Sequence, residues 1–406
     1  MSASSAQTAS APAAEQRSRL VTRPLLLRFV SILGASTSFF LLLSVIPLFA
    51  RSRAGDQAAG ASTAALMLAT VLGELVTPWF VARCGYRLVL GCGLALLGVA
   101  TTGFLACHSL AAIILVCGLR GLGFAATIVA GGALTASLLP TDRRGEGLAL
   151  VGIVSGLPSV AGLPLGVWMA AHFGYQCVIL IGALSSLLAV TSVPGLPDRV
   201  GGAARPVGMI SGLRTGSLVR PAVVFAFTAL AAGVLVTFLP IVVPRPGVVS
   251  LALLLESLSA TLIRMLVGRY GDRHGPGRLV LPGLVLSVVG TLVFADRATA
   301  AVLAGAIVFG AGFGVTQNAT LCVMYARVPE AAYGMVSGVW NLAYDGGMGI
   351  GVVGFGLLAD GCGYPTAFCV TGAAMLAGVA PWATDRRRTG RPRITTPGSL
   401  AAGYRG

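Results

Sequence analysis

Pro78-Trp79-Phe80-Val81-Ala82-Arg83-Cys84-Gly85-Tyr86-Arg87 and Gly268-Arg269-Tyr270-Gly271-Asp272-Arg273-His274-Gly275-Pro276-Gly277-Arg278 each close an apolar run with a short basic turn. Aligned on Gly85 and Gly275, they stand 190 residues apart in a chain of 406. A basic turn repeated at about half the chain length predicts a duplicated bundle of apolar helices. The same arginines predict which side of a bilayer the turns occupy, because positively charged loops are retained on the cytoplasmic side.

The surrounding composition is that of a membrane protein. Hydrophobic residues make up 56% of the chain and charged residues 10%, against about 25% charged in a soluble domain. Mean hydropathy is +0.88. In hydrocarbon every backbone N–H and C=O must be satisfied internally, so only helices or closed barrels can cross. The apolar runs lack the alternation of barrel strands and have the length of spanning helices, about 20 residues. Twelve spans are expected, at 29–50, 60–82, 88–107, 110–138, 146–170, 175–194, 221–243, 248–268, 279–296, 299–326, 334–358 and 364–383. The fold class is therefore an all-α membrane protein of twelve transmembrane helices.

The net charge of +15 arises from 28 arginines, no lysine and 13 acidic residues. On the span map 22 arginines fall on one side, four (Arg51, Arg53, Arg245, Arg297) on the other, and two (Arg120, Arg264) inside spans. This asymmetry predicts a multi-pass plasma-membrane protein with both termini in the cytoplasm. It also argues against a nucleic-acid partner. The run Arg386-Arg387-Arg388-Thr389-Gly390-Arg391-Pro392-Arg393 directly follows the last span, where it would hold topology and touch anionic membrane lipid.

Residues 1–25 are Ala/Ser-rich and polar, which predicts a disordered cytoplasmic tail. They do not read as a cleaved leader, since the next apolar run is long enough to span. A Gly/Arg/Pro-rich cytoplasmic linker at 197–220 divides an N-terminal bundle (26–196) from a C-terminal bundle (221–383), with a basic cytoplasmic tail at 384–406. The cysteines lack metal-ligand spacing and no glycine-rich segment precedes a Lys-Ser/Thr pair, so neither metal nor cofactor is expected. The duplication extends further: at an offset of 189, Phe173-Gly174-Tyr175 meets Cys362-Gly363-Tyr364, and Gly121, Gly123 and Phe124 meet Gly310, Gly312 and Phe313. Two parallel six-helix repeats predict a secondary transporter with its substrate near the midplane between halves.

These motifs resemble those of the major facilitator superfamily, whose loop between helices 2 and 3 has the pattern Gly-x-x-x-Asp-Arg-x-Gly-Arg. Gly268, Asp272, Arg273 and Gly275 match it in the second half. In the first half Arg83, Gly85 and Arg87 remain, while Pro78 and Ala82 replace the glycine and the aspartate. Arg120-Gly121-Leu122-Gly123 in helix 4 is similar to the buried-arginine motif of drug:proton antiporters. Gly156-Leu157-Pro158 and Gly162-Leu163-Pro164-Leu165-Gly166 in helix 5 resemble their Gly-Pro-rich motif, out of register by one residue. Asn341-Leu342-Ala343-Tyr344-Asp345 in helix 11 and Gln317-Asn318 in helix 10 are similar to bacterial exporter-like members. The resemblance implies two pseudo-symmetric six-helix bundles that alternate between states. It implies gating at Arg83, Gly85, Arg87, Gly268, Asp272, Arg273 and Gly275, and bending at Pro158, Gly162 and Pro164.

A charge at the centre of a span costs about 2.5–3.5 kcal/mol on insertion scales, so intramembrane charges mark function or pairing. Glu74 lies 11 residues before Gly85, and Asp345 lies 11 after Gly334; at 1.5 Å per residue each sits about 16 Å from the cytoplasmic end of its helix. In the resembled fold helix 2 lies against helix 11, so equal depth makes them two carboxyl groups able to share a proton. The alternative is a packing clamp, with local hydrogen bonds to Asn341 or Tyr344. Arg120 joins this coupling set as the stabiliser of a carboxylate or the binder of an anionic group, or else forms a structural ion pair in the first half. Arg264, the repeat partner of Glu74, is expected to pair with Glu256 on its own helix or with a group on a neighbouring one.

Helices 1, 4, 7 and 10 line the cavity of the resembled fold. They place Ser36, Phe39 and Phe40, then Thr127 beside Arg120, Phe225 and Thr228, and Gln317, Asn318 and Met324 on its wall, with Asn341 and Tyr344 nearby. A few polar groups on an aromatic wall suit a small amphipathic molecule. The expected function is proton-coupled efflux of such compounds, drugs or natural products, by a monomer. The alternative within the class is proton-coupled uptake or facilitated transport of a metabolite. A membrane-embedded transferase would need a clustered carboxylate metal site, which the scattered acidic residues do not offer; a non-transporting sensor is the remaining alternative.

Overall fold

A computed structural model describes residues 21–139, 144–198, 209–329 and 332–389. Most of the expected first tail, the linker stretch 199–208 and the tail beyond residue 389 lie outside the described residues. α1 (Arg23–Leu43) and α2 (Val45–Ala54) form the first span, α3 (Gln57–Cys84) the second, α4 (Tyr86–Gly103) the third and α5 (Leu110–Leu138) the fourth. α6 (Arg144–Val190) contains the fifth and sixth. After the short linker helix α7 (Met209–Leu213) come α8 (Gly216–Val242), α9 (Pro246–His274), α10 (Val280–Val293), α11 (Thr299–Tyr325) and α12 (Tyr333–Cys362). The last span is α13 (Tyr364–Met375), continued by α14 (Val379–Thr389).

The spans agree with expectation at their cores and differ at their ends. The first begins at Arg23, inside the segment expected to be a tail, because Thr22 caps it and accepts a hydrogen bond from Leu25 N–H. The fifth and sixth spans run on as one helical stretch interrupted only at Gly174 (φ 79°, ψ 165°). The linker's last residues already belong to α8, and the basic tail starts as helix through Thr389.

Among the described residues the only backbone positions with positive φ are Gly55, Gly85, Gly174, Gly275 and Gly363. A side chain is strained there, which is why glycine ends these helices. Gly85 and Gly275 close α3 and α9, Gly174 and Gly363 close the fifth and eleventh spans, and both pairs keep the sequence offset. The duplication also governs helix approach. A Cβ at Gly121 would strike the Leu66 carbonyl, and one at Gly310 the Glu256 carbonyl. Leu66 and Glu256 are themselves 190 residues apart. Small residues let backbones meet in this way where no hydrophobic force drives helices together in lipid.

The bundles meet through α3 against α12 and α6 against α9, two pairs related by the repeat. Twelve crossings put the described chain ends and the linker on one face, called here the terminal face. On the far face, Arg51 Nη1 donates to the Ile241 carbonyl (3.5 Å), Gln57 Nε2 to Asp360 (3.3 Å) and, one layer deeper, Thr237 to Thr63 (3.2 Å). These hydrogen bonds tie the far-face halves of the bundles together.

Candidate functional site

The charged residues of the spans divide between an inter-bundle contact and separate networks within each bundle. Glu74 on α3 and Asp345 on α12 are both buried, at 2% and 5% exposure. Their carboxyl groups lie within hydrogen-bonding reach of one another. Close approach of the two helices makes this possible: a Cβ at Gly349, one turn further along α12, would sit 3.2 Å from Met67. Among the described residues no N–H or O–H donor meets Glu74 Oε2. The expected pairing of equal-depth carboxyl groups is therefore present as geometry.

Arg120 is fully buried, away from that pair. Its Nε donates to Thr101 Oγ1 (2.9 Å) and its Nη2 to the Ser38 carbonyl (3.0 Å), while the guanidinium lies 5.8 Å from the Phe104 ring centroid. Neither expected carboxylate partner is there: the ion pairs resolved among the described residues are Arg51–Asp56, Arg220–Asp385 and Arg327–Asp385. Arg120 joins three helices of the first bundle through neutral acceptors. Nor does Arg264 pair with Glu256. Arg264 Nη1 donates to Gln317 Oε1 (3.0 Å), and Ser257 donates to Glu256 (3.0 Å). The neighbouring-helix alternative holds, because helix rotation turns the two side chains to different partners.

The expected cavity residues form separate groups. Phe225 stacks on Trp340 (4.3 Å) and lies 5.8 Å from both Tyr344 and Phe313. This aromatic group spans α8, α11 and α12. Tyr344 is also electrostatically close to Asp345 and Glu256. Trp340, whose indole donates to Thr320 Oγ1 (3.3 Å), was not among the expected residues. Its signal was a tryptophan one turn before Tyr344 on the same helix. Phe39 stacks on Phe124 at 3.6 Å and meets Phe40 edge-on. Ser36 is buried beside them on α1, and Phe40 backs onto Gly162. Thr127 donates to its own helix at Phe124. Thr228 Oγ1 is buried without a hydrogen-bond partner among the described residues. Asn318 faces Cys322 (3.6 Å), and Asn341 is half-buried. Met324 departs from expectation: it is sealed with Leu218, Ala222, Val336 and Val339 in a packing cluster, since an apolar side chain suits a core as well as a cavity wall.

At the first basic turn Arg83 lies 4.3 Å over the Trp79 ring. Ala82 brings no carboxylate, but Asp198, at the end of the sixth span, lies against Gly85: its Oδ1 is 2.6 Å from where a Cβ would stand. Sequence reading missed Asp198, which is remote from the turn in the chain. Arg87 and Arg273 stand at the corresponding terminal-face turns, while the Asp272 side chain lies outside the description. A Cβ at Gly268 would stand 3.9 Å from Asn318 Nδ2. Pro158 and Pro164 lie inside α6. Sequence reading also missed Arg28, counted among the cytoplasmic-side arginines just outside the first expected span and in fact buried in α1. Its guanidinium donates to the Gly131 carbonyl (3.1 Å), Thr135 Oγ1 (3.1 Å) and Ser31 Oγ (2.6 Å).

Comparison with known proteins agrees with this architecture. The chain is 27% identical over 311 residues to a chloramphenicol resistance protein of Streptomyces lividans, covering 69% of this chain and 73% of that protein. It is 24% identical over 279 residues to an uncharacterized MFS-type transporter of Mycobacterium tuberculosis, covering 64% of this chain and 34% of that protein. Among solved structures, a D-xylose-proton symporter superposes with a TM-score of 0.75 at 13% identity, covering 90% of this chain and 98% of that one. The nucleoside transporter NupG superposes at 0.70 and 12% identity, covering 90% and 99%. The family model described as Major Facilitator Superfamily matches residues 28–245 and 221–402. With twelve membrane helices in two repeat-related bundles, the chain belongs to the Major Facilitator Superfamily and is a multi-pass membrane transporter.

Proposed function

We propose that the protein is a proton-coupled exporter of small amphipathic organic compounds, acting as a monomer in the plasma membrane with both termini in the cytoplasm. The observation that carries this reading is the Glu74–Asp345 contact. Two buried carboxyl groups at hydrogen-bonding distance repel when both are ionised, and one proton held between them removes that repulsion. The contact joins the two bundles, so taking up or losing the proton acts on the interface that must rearrange. Arg120 acts on this site at a distance, by fixing α1 and α4 against α5. The arginine asymmetry supports the orientation.

The bundles 26–196 and 221–383 rock as units, with the linker 197–220 between them. The far-face ties then belong to the state open toward the cytoplasm. In that state substrate enters from the terminal face, and Phe225, Trp340 and Tyr344 offer flat apolar surface beside Asp345. In the opposite state the dyad takes a proton from outside as substrate leaves, and the return step delivers that proton to the cytoplasm. The chloramphenicol resistance relative supports an aromatic amphiphile as substrate and export as the direction.

The test is chloramphenicol transport in proteoliposomes under an imposed pH gradient. Wild-type protein moves the compound against the direction of proton flow. Asp345→Asn and Glu74→Gln abolish the response to the gradient while leaving exchange down a chloramphenicol gradient. Full gradient-driven transport by both variants would refute the coupling. Chloramphenicol movement in the same direction as protons would refute export.

A further inference from the structure

The repeat is also broken at a cluster of residues on the terminal face of the second bundle. Arg278, Arg327, Trp382 and Asp385 stand there, where the repeat offsets place Leu88, Leu138, Val193 and Leu196 in the first bundle. The first bundle has four apolar residues at these positions, so three charged side chains and an indole N–H are particular to the second. In the second bundle the four line a cavity of about 270 Å³, together with His274 and Arg386. Its walls come from the turn after α9, the end of α11 and α14.

The base of this cavity is an ion-pair network. Asp385 is buried and held by Arg327 Nη2 (2.5 Å) and Arg220 Nη1 (3.3 Å). Arg327 donates in addition to the Ser217 carbonyl. Among the described residues that line the cavity, Arg278, Arg327 and Arg386 stand with one carboxylate, Asp385, which Arg220 also pairs from behind. Trp382 is 3% exposed, and its indole Nε1 has no hydrogen-bond partner among the described residues. A buried N–H without an acceptor is costly. The turn packs over the same indole ring: a Cβ at Gly277 would stand in van der Waals contact with it, at 3.5 Å. The donor set is therefore guanidinium, imidazole and indole N–H around one small space, at the terminal-face ends of the spans.

We propose that this cavity binds a phosphate group, supplied by the headgroup of an anionic phospholipid in the leaflet on the terminal face. Guanidinium groups match phosphate oxygens through paired N–H donors, and basic pockets at the cytoplasmic ends of spans hold such headgroups. The bound phosphate accepts from Trp382 Nε1 and Arg278 and links α14 to the turn after α9. The ligand thereby fastens the last span to the second bundle; at the corresponding turn of the first bundle Asp198, at the end of the sixth span, lies against Gly85.

The test is thermal unfolding of the full-length protein in neutral detergent, titrated separately with phosphatidylglycerol, phosphatidylcholine and inorganic phosphate. Phosphatidylglycerol raises the wild-type Tm at concentrations where phosphatidylcholine does not. Arg278→Gln weakens the apparent affinity about tenfold, the order expected for one lost charge-assisted contact. Trp382→Phe, which keeps a packed ring and removes only the N–H donor, weakens it severalfold. Arg23→Gln, a terminal-face arginine of the first bundle, leaves it unchanged. Equal effects of both lipids on wild type, or wild-type affinity in Trp382→Phe and in a folded Arg278→Gln, overturn the proposal. Should Arg278→Gln not fold, Trp382→Phe alone decides. Protection by inorganic phosphate at matched concentration that is lost in the same variants retains the phosphate site and overturns the lipid as its source.

Discussion

At the scale of single residues, the buried charges separate by what surrounds them. Glu74 and Asp345 face each other across the bundles, so substituting one removes the shared proton as completely as substituting both. The expected outcome is strong non-additivity: the Glu74→Gln/Asp345→Asn double variant loses no more gradient-driven transport than either single variant, measured as initial rate in proteoliposomes. Among the described residues Arg28 meets neutral acceptors only, and its three hydrogen bonds need the planar guanidinium fork. Arg28→Lys keeps the charge and loses donors, at a cost of about 1–3 kcal/mol in detergent unfolding. These residues also show what a sequence can reveal. The carboxyl pair was legible because depth along two helices is a matter of counting residues and the resemblance named the neighbouring helices. The partners of Arg120 and Arg264 were not, because helix rotation decides them and counting does not report rotation to within one side chain. Arg28 was hidden by its position at a span's edge, where a buried arginine and a loop arginine read alike.

At the scale of elements, the spans were readable because membrane length and apolar composition are imposed by the bilayer, and the repeat supplied two readings of each helix. Their ends were less so, since caps such as Thr22 are set by one or two polar residues. The glycine pairs carry the packing. Gly121 and Gly310 each meet a carbonyl of the neighbouring helix, whereas a Cβ at Gly118, on the same α5, meets nothing within 4 Å. Gly121→Ala and Gly310→Ala are expected to destabilise by about 1–3 kcal/mol, because backbone must shift to admit the methyl group. Gly118→Ala is expected to be neutral or stabilising by up to about 1 kcal/mol, since alanine is the better helix former. Parallel thermal melts in one detergent check all three, and an equal effect at Gly118 and Gly121 would show that close approach is not what the glycine provides.

At the scale of the whole molecule, the structure records one position of the rocking motion, held by a few polar ties on the far face. The Arg51–Asp56 pair is solvent-exposed and within one bundle, so it contributes little by itself. Its consequence is indirect: Asp56 steadies the guanidinium that reaches the Ile241 carbonyl of the other bundle (3.5 Å). Gln57 to Asp360 is a second tie across the same seam. Each such hydrogen bond is worth about 1 kcal/mol, and losing both shifts a two-state balance by roughly 30-fold. The Arg51→Ala/Gln57→Ala variant is therefore expected to populate a state open on the far face. Spin labels at Ser52 and Gly247, one on each bundle at that face, read the change as a longer distance component absent from the otherwise unaltered protein. The Glu74–Asp345 contact lies nearer the midplane and is left intact by the substitutions, so acidification should still move the population in both proteins. A distance distribution unchanged by the loss of both ties would place the closing force in the apolar packing of α3 on α12 and α6 on α9 instead.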